Sequence, residues 1–199
     1  MTPLLLATRN PGKKREIEDF FRSGGLELRL VSLAEIGMAA DVAESGSTFA
    51  ENARLKADFY SRRAALDTLG DDSGLEVAAL AGRPGVLSAR YAGAAADDDA
   101  RIRKLLAEMN GVADRRARFV SAVCISRGGS PLAAFAGAAA GEILHERRGA
   151  GGFGYDPLFL YPPLGKTFAE LSLAEKNLVS HRARALEQAR AFILGGGLG

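Results

Sequence analysis

Thr8-Arg9-Asn10-Pro11-Gly12-Lys13 directly follows a short apolar run, and its residue types suit an anion. A strand that enters a capped helix aims several backbone N–H groups at one point, where the macrodipole favours negative charge. Lys13 adds a full positive charge in that first turn. The spacing is not that of a P-loop, because G-x-x-x-x-G-K-[ST] is absent. The plainer alternative is a capped helix with a solvated lysine.

Carboxylates gather at two other places. GDDSGL sets Asp71 beside Asp72, between apolar segments and ahead of Ser73-Gly74. In extended chain the two would point to opposite sides, so one of them facing a site could hold Mg²⁺ or orient a water. A simple turn explains the same letters, since Asp, Ser and Gly are common there. Glu44 precedes a Ser/Gly loop and gains meaning only if a second carboxylate meets it, because Mg²⁺ is bound by one or two carboxylates plus phosphate oxygens. Lys176, His181 and Arg182, with Arg184 and Arg190 beyond, form a basic helical stretch that reads either as solvated surface or as an anion contact.

Gly149–Gly154 spells G-x-G-x-x-G, the pattern of a dinucleotide-binding loop. That loop needs a strand before it and a long helix after it. Here Asp156-Pro157 and Pro162-Pro163 follow closely, with strand-like LFLY between them, so the dinucleotide reading fails. What remains is a glycine-rich, flexible backbone carrying Phe153, Tyr155 and Asp156. An aromatic face can stack on a base, and a carboxylate can accept from ring N–H groups.

The elements that must position these groups can be read from periodicity. Leu4–Ala7 suits a short buried strand, and Asn10-Pro11 opens a helix with Ile17, Phe20 and Phe21 on its apolar side. Leu26–Leu33 alternates as a half-buried strand. Thr48 with Glu51 makes a capping box for a helix whose stripe runs through Phe49, Ala53, Leu55 or Lys56, Phe59 and Ala64. RPGVLSARYAG reads as a loop, and a helix is expected from about Asp97 to Met109. Arg116–Arg127 and Pro131–Glu146 form a hairpin about Gly128-Gly129, and Leu158–Tyr161 is a short strand. A second capping box, Ser172 with Glu175, precedes one C-terminal helix faced by Val179, Ala183, Leu186, Ala189 and Ile193. Alternating strands and helices followed by two adjacent long strands predict an α/β fold with a mixed sheet.

Composition supports a globular chain: 199 residues, 47% hydrophobic and 25% charged. A chain of this length can bury roughly 70% of its unfolded surface. With 26 Lys+Arg against 24 Asp+Glu, the net charge of +2 gives no overall pull toward nucleic acid or acidic lipid. Cys124, the single cysteine, lies in the apolar run FVSAVCIS and is expected in the core rather than as a nucleophile. The apolar run near the start is too short for a signal sequence, and no stretch reaches spanning length. A reducing, cytoplasmic location without a membrane partner is therefore expected.

Taken together, ATRNPGKKREI, ESGSTFAENARLKA, GDDSGLEV, GRPGVLSARYAG, GGFGYDPLF and EKNLVSHRARAL resemble the inosine triphosphate pyrophosphatase family, bacterial type. The matches keep family order from Leu4 to Leu186. Only FAGAAAGEI is weak, and no role is carried to Ala138–Ala140. The resemblance implies an elongated mixed sheet with flanking helices, a single domain over residues 1–199 with two lobes around a central cleft, and a homodimer. It implies a phosphate-binding segment over Thr8, Arg9, Asn10, Pro11, Gly12 and Lys13, with Thr8, Asn10 and Lys13 in contact, and metal at Glu44 and Asp72. Asp72 would be the general base, Lys56 an active-site lysine and Ser73 a substrate contact. Phe153, Gly154, Tyr155 and Asp156 would form the base loop, with Phe153 stacking, and Lys176, His181 and Arg182 would close over base and phosphates.

The implied activity is hydrolysis of non-canonical purine nucleoside triphosphates (ITP, dITP, XTP) to monophosphate and pyrophosphate. Water activated by Mg²⁺ would attack the α-phosphate. The chemistry is consistent: Lys13, Lys56, Lys176 and Arg182 supply cations for the phosphates, and positioning with electrostatics lowers the barrier. A donor facing the 6-oxo group would reject adenine's 6-amino group, since an unpaired buried donor costs about 1–3 kcal/mol. Two other readings use the same residues: a non-catalytic nucleotide sensor, and a related pyrophosphatase for other modified nucleotides.

Overall fold

Leu4–Ala7 forms β1, buried on both sides, which is why LLLA is apolar without alternation. The computed structural model describes residues 3–198. From β1 the chain passes through α1 (Pro11–Ser23), β2 (Leu30–Ser32), α2 (Phe49–Ala64) and β3 (Thr68–Val77). Next come α3 (Asp98–Glu108), β4 (Arg116–Arg127) and β5 (Ser130–Ile143). The strands β6 (Phe159–Tyr161) and β7 (Lys166–Thr167) precede the helices α4 (Leu173–Val179) and α5 (His181–Phe192).

Seven strands make one sheet in the order β2-β1-β3-β4-β5-β6-β7. β1 is parallel to β2 and β3, while β6 is antiparallel to β5 and β7. The sheet is mixed, as the order of elements predicts. Gly128 and Gly129 have φ of 57° and 86° and make the two-residue turn from β4 to β5. Such a short link fits only an antiparallel pair, and positive φ at both positions matches its twist. Among the described residues no helix is long and apolar enough to cross a membrane.

Four expectations change. The strand expected over Leu26–Leu33 is only Leu30–Ser32, because β1 begins at Leu4 and offers no ladder partner to earlier residues. The second strand of the hairpin ends at Ile143 rather than Glu146. RPGVLSARYAG is not all loop, since Gly85–Arg90 forms 3-10 turns. The single C-terminal helix is two, because Ser180 adopts extended backbone (φ −72°, ψ 158°) between α4 and α5. Its stripe divides accordingly: Val179 packs with one core, and Ala183, Leu186 and Ala189 with another.

Contacts divide the chain into two compact units. One holds the chain up to Asp72, Ser121–Gly137 and the stretch from Arg182 onward. Here the two-residue period of β1 serves both faces. Leu4 and Leu6 join Ile17, Phe20, Phe21, Leu69 and Leu186, while Leu5 and Ala7 join Val31, Leu33 and Tyr60. Cys124 is buried in this unit on β4, and burial pushes its thiol pKa up. The other unit, Ser73–Val120 with Ala138–His181, has an aromatic core. Phe119, Phe159 and Phe168 pack within it, with ring centroids 4.7–5.7 Å apart.

Gly70 sets how closely α2 lies on β3. A Cβ at Gly70 would run into the Ala53 carbonyl oxygen and the Ala57 amide nitrogen, both backbone. Gly70→Ala is expected to destabilise by about 1–3 kcal/mol, the usual cost of overpacking. Urea denaturation of the two proteins checks this, and an unchanged midpoint would show that the helix can shift freely.

Candidate active site

β1 ends at Ala7, and the chain must turn before α1 can begin. Thr8 Oγ1 accepts from the Asn10 amide at 3.2 Å, and Asn10 Oδ1 caps α1 by accepting from the Lys13 amide at 3.0 Å. Pro11 takes the first helical position, where its missing N–H is no loss. No acidic side chain occupies this first turn, so the helix N-terminus keeps its affinity for an anion. Arg9 turns elsewhere: its Nη2 donates to the carbonyls of Met38, Ala39 and Ala40 at 2.9–3.0 Å.

GDDSGL is not a turn. Asp71 and Asp72 lie within the ten-residue strand β3 and are 1% and 6% exposed. Alternation gives them different neighbours. Gly70 and Asp72 face α2, while Leu69 and Asp71 face the side of α1 and α5. Asp71 Oδ2 accepts from Ser121 Oγ at 2.8 Å and from Arg182 Nε at 3.4 Å, and Arg182 also pairs with Glu16. Asp72 Oδ1 meets Lys56 Nζ at 3.2 Å, and its Oδ2 accepts from Asn52 Nδ2 at 3.3 Å. Lys13 spans both: its Nζ lies 2.7 Å from Asp71 Oδ1 and 3.9 Å from Asp72 Oδ1.

These surroundings separate the two acids. Burial favours the neutral form of Asp71, but Lys13, Arg182 and Lys56 outweigh it and hold the carboxyl well below the usual range. At Asp72 burial wins over Lys56 and Lys13, with Glu44 and Asp71 adding, so its pKa is raised. Burial opposes the charge on Lys56 too, yet Asp72, Glu44 and Asp71 raise its pKa and keep it an ammonium. Lys13 moves the other way, lowered by burial and by Lys56 and Arg182 against the pull of Asp71. Adjacent carboxylates driven apart in this way are the pattern of one fixed anion and one proton acceptor.

Glu44 Oε1 lies 3.3 Å from the same Lys56 Nζ, so Glu44 and Asp72 converge on one cationic position. Both are hard oxygen donors, the type Mg²⁺ takes. Among the described residues no three His, Cys, Asp or Glu side chains gather to cage a metal. Two carboxylates that leave further positions to phosphate and water fit Mg²⁺ better than an all-protein site would.

The second unit carries the glycine-rich loop. No helix follows it; the chain turns at Gly154–Leu158 into β6. Far from slack, the loop is bonded along its length. Gly151 N donates to Ala169 O at 3.0 Å, Phe153 N to Asp156 Oδ2 at 2.9 Å, and Gly154 N to Asp98 Oδ2 at 2.7 Å. A Cβ at Gly149 would strike the Ala169 backbone, and one at Gly152 the Asp156 carboxylate. The glycines therefore allow close approach. Asp156 Oδ2 also accepts from Lys176 Nζ at 2.5 Å, whose ammonium stands 5.2 Å from the Phe153 ring centroid.

Several expected site residues are placed differently. Tyr155 belongs to the core, 3% exposed, and its hydroxyl donates to Ser88 O; burial raises its pKa. Of the pair Leu55 or Lys56, the structure turns Lys56 inward and leaves Leu55 exposed. The basic tail is not one solvated face. Lys176, His181 and Arg182 are buried, whereas Arg184 is exposed. His181 stacks on Phe119 with centroids 4.7 Å apart. Gly12 and Ser73 are half-buried, and Pro11 is exposed.

Sequence reasoning missed Asn52, Ser121, Glu16 and Asp98. Asn52 had one readable signal: it stands a turn before Lys56 on an otherwise apolar face, and it is fully buried. The others are polar residues with common surface alternatives, and only tertiary pairing marks them.

Residues 4–192 match the Ham1 family. A dITP/XTP pyrophosphatase of Geobacillus kaustophilus is 50% identical over 188 residues, covering 94% of this chain and 91% of that protein. A solved Ham1 protein from Coxiella burnetii superposes with a TM-score of 0.88 at 40% identity, covering 98% of this chain and all (100%) of that one. The Ham1 protein of Staphylococcus aureus gives 0.85 at 39% identity, with coverage of 98% and 99%.

The fixed charge of Asp71 makes a stability prediction for the metal-free protein. Its folded pKa is depressed, so its contribution is present above the unfolded value, about 3.9, and disappears as pH falls toward the folded one. Asp71→Asn is expected to cost about 3–5 kcal/mol at neutral pH by leaving buried cations unmatched. That gap should shrink as urea titrations move below about pH 4; a constant gap would contradict the charge assignment.

Proposed function

The chain belongs to the Ham1 family, and from that premise we propose that it hydrolyses non-canonical purine nucleoside triphosphates, dITP, ITP and XTP, to the monophosphate and pyrophosphate. The reading rests chiefly on one observation: Asp72 stands between the half-buried Lys13 and the buried Lys56, beside a capped helix N-terminus whose first turn carries no acid. Relatives named dITP/XTP pyrophosphatase at 50% and 44% identity support the same substrate class.

The triphosphate binds through the amides at the start of α1 and the ammonium groups of Lys13 and Lys56. Asp72 accepts a proton from the water that attacks the α-phosphorus. Bond formation from that water oxygen breaks the bond to the bridging oxygen, and pyrophosphate leaves with its charge matched by the lysines. Asp71, held ionised, keeps Lys13 in place. Glu44 and Asp72 would hold Mg²⁺, which would add neutralisation of the phosphates and acidify water. No covalent enzyme intermediate is needed.

The base lies on Phe153. Lys176, gripped by Asp156, offers donors and no acceptor, which suits a 6-oxo purine and opposes adenine's 6-amino group. Asp156 thus acts by holding Lys176 and the Phe153 amide rather than by accepting from the ring. His181, stacked on Phe119 and Phe168, and Arg182 complete the set implied by the family resemblance. A nucleotide-pool substrate fits a cytoplasmic protein, and the resemblance implies a homodimer; the near-balanced charge argues against a nucleic-acid or membrane partner.

A substrate panel with separate detection of pyrophosphate and orthophosphate tests the function. The expected result is Mg²⁺-dependent pyrophosphate release from dITP, ITP or XTP, far faster than from ATP or GTP. Orthophosphate as the first product, or equal rates on all purines, would refute it. Asp72→Asn should lower kcat by about 10²–10⁴-fold, the usual worth of a positioned base, with thermal denaturation confirming a folded variant. Near-normal turnover would remove Asp72 from that role.

A further inference from the structure

Arg9 lies in the segment expected to bind phosphate, yet its Nη2 donates to three consecutive carbonyls, Met38, Ala39 and Ala40, at 2.9–3.0 Å. Tyr60 reinforces the same place from α2, its hydroxyl meeting Ala40 O at 3.1 Å and Asp41 Oδ1 at 3.2 Å. Five residues beyond Asp41, a second clamp closes the segment. Asn52 Oδ1 accepts from Gly46 N at 2.8 Å, and its Nδ2 reaches Gly46 O at 3.4 Å. Glu44 stands between the two clamps, in a stretch with no regular secondary structure of its own.

We infer that Arg9 is a positioning residue for the metal carboxylate rather than a phosphate ligand. By gathering the carbonyls of residues 38–40 it fixes the near end of the segment that carries Glu44, while Asn52 fixes the far end. Glu44 is thereby held at Lys56, beside Asp72. The planar guanidinium reaches the carbonyls as a directed donor, and a lysine ammonium, shorter and a point charge, does not replace that geometry. This inference rests on the pyrophosphatase reading for the role of Glu44, but the clamp itself does not.

Arg9→Ala, Arg9→Lys and Tyr60→Phe test it in two ways. Hydrogen exchange of the metal-free full chain should show faster exchange in the peptide spanning residues 38–46, with β1 and α2 still protected. In the assay, the Mg²⁺ concentration for half-maximal rate should rise about tenfold, the low end for partners that orient metal ligands, while the nucleotide KM at saturating Mg²⁺ stays unchanged. Arg9→Lys should behave like Arg9→Ala. A raised nucleotide KM rescued by Arg9→Lys, with the metal requirement and exchange unchanged, would make Arg9 a phosphate ligand and overturn the proposal. If the parent chain released no pyrophosphate, the functional reading would fall, and the exchange measurement would still decide the clamp.

Discussion

Two neighbouring carboxylates on a buried strand cannot share one environment, and the first unit is built around keeping them apart. Asp71 and Asp72 sit on β3 where alternation sends one toward α1 and α5 and the other toward α2. Arg182 and Ser121 attend to the first, Asn52 and Lys56 to the second. Lys13 reaches both. Removing an ion from water costs several kcal/mol after relaxation, so the cluster stands only because each charge is answered. The result is an acid fixed as an anion beside one left able to take a proton.

That electrostatic division depends on backbone details at some distance from it. Asn10 and Pro11 start α1 where Lys13 can turn back to β3, and Gly70 lets α2 approach until Lys56 meets Asp72. In the second unit the same logic governs the glycine-rich loop. Its glycines admit the Ala169 backbone and the Asp156 carboxylate at distances that no Cβ would permit. Asp156 then binds both Lys176 and the Phe153 amide, so a single carboxylate orders an aromatic face and a cation together. Rigidity rather than freedom is the use made of glycine there.

Elements were legible wherever local rules decide them. The Asn10 cap, the capping boxes at Thr48 and Ser172, and the Gly128-Gly129 hairpin all depend on residues within one turn of each other, and each is present. Where the outcome depends on a partner distant in sequence, the reading slipped. Asp71-Asp72 suited a turn until a neighbouring strand and two helices made it a buried strand. The stripe from Val179 to Ile193 looked continuous because periodicity does not register a break at Ser180. Tyr155 looked available because its hydroxyl's partner, Ser88, lies far back in the chain. The candidate site residues lie in linked motifs, whereas their supports, Asn52, Ser121, Glu16 and Asp98, carry no motif and emerge only from tertiary pairing.

In the proposed reaction, water relieved of a proton by Asp72 attacks the α-phosphorus. Hydrolysis of dITP in water enriched in heavy oxygen, followed by mass spectrometry of both products, tests it most directly. The label is expected in the nucleoside monophosphate and not in pyrophosphate. Label in pyrophosphate would place the attack on the β-phosphorus and contradict the assignment of the site.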